Sequence, residues 1–340
     1  MTSRERVEAA LRHEEPDRTP VFEYVLLSPV ADALLGRPCA VDPGHWPSVV
    51  DAVGWEAAVR QRAVDHLDLA CRLGHDMIYA WPNPGPPRRE PAPDNPHEDA
   101  GHDPVAAVET RNQRTREALG PPPEDTLLIY VSLKEEMAHR GLDLPVLAPA
   151  YVHGVWTDVD LMQTMLIAPE IAHEHFELAT ARALALIDAF VALDLDQIGV
   201  GGDFAGTRPL ISPEMYRRFI MPQVWVCSRH IHDAGRWAVN ASDGNLWSVI
   251  HDFLIGCEVD GYIEIDQFAG MDLARLKHRF GDRITLYGNL DCGNMLAFGA
   301  PEQIRRETVR CLKSGQGNGG HILCAGNAIT SSVSLENYLR

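Results

Sequence analysis

Residues 196–206 read DQIGVGGDFAG. The same design returns at 236–245 (RWAVNASDGN), 260–267 (DGYIEIDQ), 284–291 (ITLYGNLD) and 321–328 (HILCAGNA): an apolar run, then an abrupt cluster of Asp, Asn or Glu. Short β-rich runs separated by helical stretches read as consecutive βα units on a parallel sheet. In such sheets ligands sit beyond the carboxyl ends of the strands. Those ends are where the polar residues fall: Asp203, Asn240, Asp243, Asn245, Glu264, Asp266, Asn289, Asp291 and Asn327. The pattern is an enzyme-like rim on a hydrophobic frame.

Outward from this core, Thr2 to Arg12 reads as a capped amphipathic helix with Val7, Ala10 and Leu11 on one side. Thr19-Pro20 leads into PVFEYVLL, a first strand carrying Glu23 and Tyr24. His45 to Leu73 is helical and DMIYA (76–80) a short strand. Between Trp81 and Asp103 the pattern collapses into Pro, Gly, Asp and His, which reads either as a lid over a site or as a mobile loop. Two β-like runs, TLLIYVSL (126–133) and PVLAPAYV (145–152), compete for the third strand. Helices are expected over Pro169–Leu193, from Ser212 towards Ala234 with a kink at Pro222, over Asp272–Phe280 and over Pro301–Lys313. Strands following residues 20, 76, 146, 196, 236, 260, 284 and 320 make eight, the number of a closed (β/α)8 TIM barrel. The expectation is therefore an α/β chain forming a single domain over residues 1–340.

Bulk properties narrow the function classes. The chain has 340 residues, 45% hydrophobic and 23% charged, as in ordinary globular proteins. No apolar stretch approaches a membrane span, and the charged N-terminus lacks a signal peptide's apolar core. Seven scattered cysteines without a CxxC point to reduced thiols and a cytoplasmic setting. A net charge of −18 argues against nucleic acid or an anionic membrane as partner.

Among the candidate site residues, Asp203, Asp243, Glu264 and Asp291 share adjacent strand ends. Acids in one mouth can share a proton, hold a divalent cation, or bind a cationic or hydroxylated substrate. The competing role is capping, which SDGN (242–245) would suit. Asp266 is read as pointing away. Asn240, Asn289 and Asn327 are candidates for reading substrate hydroxyl, amide or carboxylate groups, and turn or cap roles suit Asn245 best. His153 follows a strand-like run and is an acid/base candidate, with loop structure as its alternative. The pairs His173/His175 and His230/His232 have i, i+2 spacing, which puts them on different helix faces. GQGNGG (315–320) matches GxGxxG literally but follows a helix and precedes a strand, the reverse of a dinucleotide site. Cys292 and Cys324, near strand ends, read by default as small buried hydrophobes.

The motifs TSRERVEAALRHEEPDRTPV (2–21), PLISPEMYRRFIMP (209–222), SDGN (242–245), AGMDLARLKHRFGDRITLYGNLD (269–291) and GGHIL (319–323) together resemble the uroporphyrinogen decarboxylase superfamily, which also holds cobalamin-linked methyltransferases. The resemblance implies a (β/α)8 barrel with its site in the carboxyl-end cleft, and a functional role at Asp243. It also exposes departures. The family's decarboxylases carry an N-terminal arginine pair for substrate carboxylates and an aspartate after the second strand. Here PVFEYVLL (20–27) has no arginine and the second strand runs into Trp81-Pro82-Asn83. The methyltransferase branch implies a zinc site of His-x-Cys and a later Cys, whose places are held by Ala241, Asp243 and Asn327. The resulting expectation is a lyase, decarboxylase-like, acting on a small polar molecule other than uroporphyrinogen. Asp243, Asp203 and His153 would carry the chemistry, and Glu23, Tyr24, Asn240, Asn245, Glu264, Asn289, Asp291 and Asn327 would bind substrate. No cofactor is required; a divalent metal, if held, would use Asp243 and Glu264. The alternatives are methyl transfer with a corrinoid protein as partner, and a non-catalytic metabolite-binding barrel. A homodimer is left open.

Overall fold

Strands β1 (Ile78–Tyr79), β2 (Val146–Pro149), β3 (Gln197–Gly201), β4 (Trp237–Ala241), β5 (Gly261–Ile263), β6 (Thr285–Tyr287) and β7 (His321–Ile322) lie side by side in chain order. Every neighbouring pair is parallel. The computed structural model describes residues 1–87 and 102–340. Most of the stretch read as a lid therefore falls outside the described residues.

The expected closed eight-stranded barrel does not form. The sheet has seven strands, curls through 242° and stays open, its edges 12 Å apart. The remaining run, residues 20–27, sits in that opening without becoming a strand. It meets the β7 side through isolated bridges, Val21 to Leu323 and Leu26 to Ile329. Towards β1 it makes one backbone bond, from the Asp76 N–H to the Val21 carbonyl at 2.7 Å.

The local chemistry explains the failure. Pro20 has no N–H to give a ladder. The Val21 N–H goes instead to the buried Asp76 carboxylate at 2.9 Å, and the Ala325 N–H to the Glu23 carboxylate at 3.1 Å. Side chains have taken backbone donors that a continuous ladder would need.

Two apolar layers fix the sheet. On its inner face Val7, Ala10 and Leu11 of the N-terminal helix Ser3–Leu11 pack with Leu147, Val239, Ile263, Tyr287 and Ile322. This helix begins with a capping box at Thr2 and Glu5. It closes the amino-terminal end, where Ala10 O accepts from Gly320 N and the Thr285 hydroxyl. The outer face packs against helices that include Pro169–Ala192 and Met221–Asp233. Gly199 is required by a close approach: a Cβ there would collide with the Tyr151 ring.

Three local expectations are refined. The helical stretch 45–73 divides at Gly54 into Trp46–Val53 and Trp55–Leu73. The run 126–133 belongs largely to the helix Leu128–Arg140, so 145–152 supplies β2. The helix after Ser212 loosens into a wide turn over Tyr216–Ile220, and Pro222 opens the Met221–Asp233 helix that follows.

Candidate active site

The carboxyl ends of β3, β4 and β5 deliver Asp203, Asp243 and Glu264 to one point. Their oxygens lie within 4.8 Å of one another. Each strand contributes differently. Beyond β3 the chain turns through Gly202, whose N–H bonds the Ala241 carbonyl, and presents Asp203. Beyond β4 the Asp243 N–H donates to Asp203 Oδ1 at 2.9 Å, which locks the two loops together. Gly244, at φ +85, allows that contact, because a Cβ there would strike the Ala205–Gly206 backbone. Glu264 follows β5 directly and adopts φ +70, unusual for a residue with a side chain.

These three carboxyl groups all resist ionisation. Burial raises Asp203, against the opposing hydrogen bond from Asp243 N–H. Burial, then the charge of Asp203, raises Asp243 to about 7, with the Asn327 amide opposing and Asp266 adding to the rise. Burial, then Asp243 and Asp203, pushes Glu264 well above the usual range, while the Tyr24 hydroxyl against its carboxyl opposes the shift. The Asn327 amide donates to Asp243 Oδ2 at 2.6 Å.

The cleft above has a volume of about 370 Å³ and is walled by Asp203, Asp243, Asp266, Asp291, Cys292 and Asn327, with Trp156 and Phe268 also at its edge. Phe268 is 72% exposed and Trp156 51%. None of the described residues lining it is Lys, Arg or His. Three tyrosines lie near Glu264. Tyr24 and Tyr79 touch through their hydroxyls at 3.3 Å, and the buried Tyr151 hydroxyl has no partner among the described residues. Burial first of all holds the three phenols un-ionised, and any charge on Glu264 adds to that.

The structure thus brings together Asp203, Asp243, Glu264, Asn327 and Tyr24, with Asp291 on the same wall. Asp291 also accepts from Asn294 N at 2.9 Å, capping the Cys292–Leu296 turn. The other candidates point elsewhere. His153 is buried against the Pro169–Ala192 helix, its Nε2 paired with Thr180 at 2.9 Å, and burial, then His175, lowers it to about 3. Asn240 donates to the Phe253 carbonyl at 2.9 Å and Asn289 to that of Met271 at 3.0 Å. Asn245 bonds Ala269 O and accepts from Trp247 N, a turn role. Glu23 is held by Ala325 N and the Tyr338 hydroxyl beside a different cavity.

Asp266, expected to point away, lines the cleft instead, its Oδ1 accepting from Ala269 N at 2.9 Å. The bend at Glu264 breaks the strand alternation on which that expectation rested. Tyr79 and Tyr151 were absent from the candidates, although each sits at the carboxyl end of its own apolar run. All seven cysteines are free.

The residues do not fit a thiolate zinc centre, because the clustered donors are carboxylates. Three such oxygens suit a harder cation, Mg²⁺, Mn²⁺ or Ca²⁺, or shared protons.

The uroporphyrinogen decarboxylase (URO-D) family profile matches residues 145–340. A uroporphyrinogen decarboxylase from Xanthomonas axonopodis pv. citri is 28% identical over 242 residues, which are 64% of this chain and 65% of that protein. One from Coxiella burnetii is 28% identical over 177 residues, 50% of this chain and 45% of that protein. The chain thus spans less than two thirds of the length of these relatives. A methyltransferase from Methanosarcina mazei shares the fold, with TM-score 0.68 at 18% identity, covering 99% of this chain and 96% of that one. The chain belongs to the uroporphyrinogen decarboxylase (URO-D) family, as a divergent member.

Proposed function

We propose that the chain is a lyase-type enzyme acting on a small substrate that is cationic, zwitterionic or hydroxylated, with Asp243 as its proton-transfer residue. One observation carries this reading: clustered carboxylates line a cleft that offers no cationic side chain among its described residues. Such a cleft attracts positive charge and repels polyanions. A group titrating near about 7 is half protonated at neutral pH, where a general acid works best. In a decarboxylation the carbon–carboxyl bond breaks, its electron pair stays on carbon, and Asp243 delivers the proton there. Burial, then the charges of Asp203 and Asp266, keep that proton on Asp243, Asn327 orients its carboxyl, and Tyr151 offers a hydroxyl to developing charge.

A second reading is methyl transfer, with a corrinoid protein as acceptor. The acidic cleft would equally suit a methylated amine, and a methyltransferase from Methanosarcina mazei shares the fold.

The test is a thermal-shift screen of small amines, amino acids, polyols and polycarboxylates, followed by turnover assays on those that bind. Stabilisation by cationic or zwitterionic compounds, lost in Asp243→Asn, is expected. Preferential stabilisation by polycarboxylates would overturn the reading. Consumption of a methylated amine only when a corrinoid protein is present would select the second.

A further inference from the structure

A second cavity, of about 230 Å³, lies between the 20–27 run and the Trp55–Leu73 helix, where the sheet fails to close. Arg62, His66, Leu69 and Ala70 recur at i, i+4, i+7 and i+8 along that helix, so one face supplies both a polar end and apolar wall. We propose that this cavity is a second binding site, taking a small monocarboxylic acid with its carboxylate on Arg62 and His66 and its apolar body against Leu26, Leu69 and Met77.

Unmet bonding capacity points to the ligand. Arg62 Nε and His66 Nε2 are both shielded from solvent and have no hydrogen-bond partner among the described residues. The guanidinium lies 5.8 Å from the Trp46 ring, and burial lowers its pKa, so the fold leaves this charge poorly solvated. Burial, then the charge of Arg62, holds His66 down to about 3, which keeps it a neutral hydrogen-bonding group. Glu23 also faces the cavity, but Ala325 N and the Tyr338 hydroxyl hold its two oxygens. One guanidinium flanked by a neutral imidazole matches a carboxylate, which takes two parallel bonds. A phosphate dianion would bring more charge among Val25, Leu26 and Leu69 than one arginine offsets.

This site does not depend on the reading of the acidic cleft. Tyr24 and Tyr79 line the cavity, and Tyr24 also contacts Glu264, so these rings separate the two compartments.

Hexanoate and phenylacetate are the probes, titrated into the full chain by calorimetry beside hexanol and hexylammonium. Stoichiometric hexanoate binding is expected. Arg62→Gln should weaken it roughly ten- to hundred-fold, the effect of losing a charged hydrogen bond, with little change for hexanol. Arg62→Lys, which keeps the charge, should retain most of the binding if Arg62→Gln fails to fold. Asp243→Asn should bind hexanoate as the parent does, so failure of the acidic-cleft reading would remain separately visible. Equal binding of hexylammonium, hexanoate affinity untouched in folded Arg62→Gln, or hexanoate binding abolished in folded Arg62→Lys would overturn the proposal.

Discussion

Asp243 holds its proton more tightly in the folded chain than a free carboxyl does, at about 7 against an ordinary 3.8, because burial and then Asp203 oppose its charge. Folding therefore takes up a proton between those two values. The stability this group contributes is fully present below about pH 4 and is lost as pH rises through about 7. Asp243→Asn carries the neutral shape at every pH. It should match the parent near pH 4 and exceed it by about 1–3 kcal/mol near pH 8, a figure discounted for partial solvent screening. Urea unfolding at both values checks this; equal stability at the higher pH would show that the charge is already compensated. The same carboxylate-only donor set predicts that chain purified without chelators carries no stoichiometric zinc, and that any bound metal is a hard ion lost in Asp243→Ala. Elemental analysis decides it. At this scale the sequence located the cluster, since Asp203, Asp243 and Glu264 each end an apolar run. It could not say which way His153, Asn240 and Asn289 point, because a side chain's face depends on local twists such as φ +70 at Glu264.

Strands and helices were legible where periodicity and capping agree, as at the Thr2–Glu5 capping box and the Pro-opened helix Pro169–Ala192. The 20–27 run misled because it has a strand's composition without a strand's bonding. Its place is set by Asp76, a buried carboxylate that accepts from Val21 N at 2.9 Å, Arg6 Nη1 at 2.6 Å, Arg18 Nη1 at 2.7 Å and the Ser3 hydroxyl at 3.0 Å. One side chain therefore ties the N-terminal helix, the following loop and the approach to β1. Asp76→Asn removes the buried partner of Arg6, itself only 8% exposed, and leaves it the half-exposed Asp17 carboxylate alone, so the loss falls at the lower end of the cost of a broken buried pair. Breaking a buried pair on one side costs roughly 3–5 kcal/mol. The variant should shift the urea midpoint accordingly. A change under about 1 kcal/mol, as for an exposed pair, would mean that the network is solvated in solution.

For the whole molecule, charge and shape act together. A net charge of −18 sets the long-range field, and the cleft concentrates it where Asp203, Asp243, Asp266 and Asp291 converge. Family membership alone would suggest a polycarboxylated tetrapyrrole as substrate, as in the decarboxylases to which the chain is similar. The N-terminal arginine pair that the resemblance implies is missing, and PVFEYVLL (20–27) offers apolar residues and Glu23 instead. Each substrate carboxylate entering would lose water without gaining a cation, and like charges across an interface cost several kcal/mol in sum. Protonation of the triad relieves part of that repulsion and supplies no counter-charge. Incubation with uroporphyrinogen, with products resolved by chromatography, is therefore expected to yield no coproporphyrinogen between pH 6 and 8. Lowering the ionic strength should make this exclusion stronger, because the Debye length grows as salt is removed. Efficient conversion, or conversion that improves at low salt, would show that cationic groups outside the cleft lining recruit the substrate, and would return the chain to the family's named reaction.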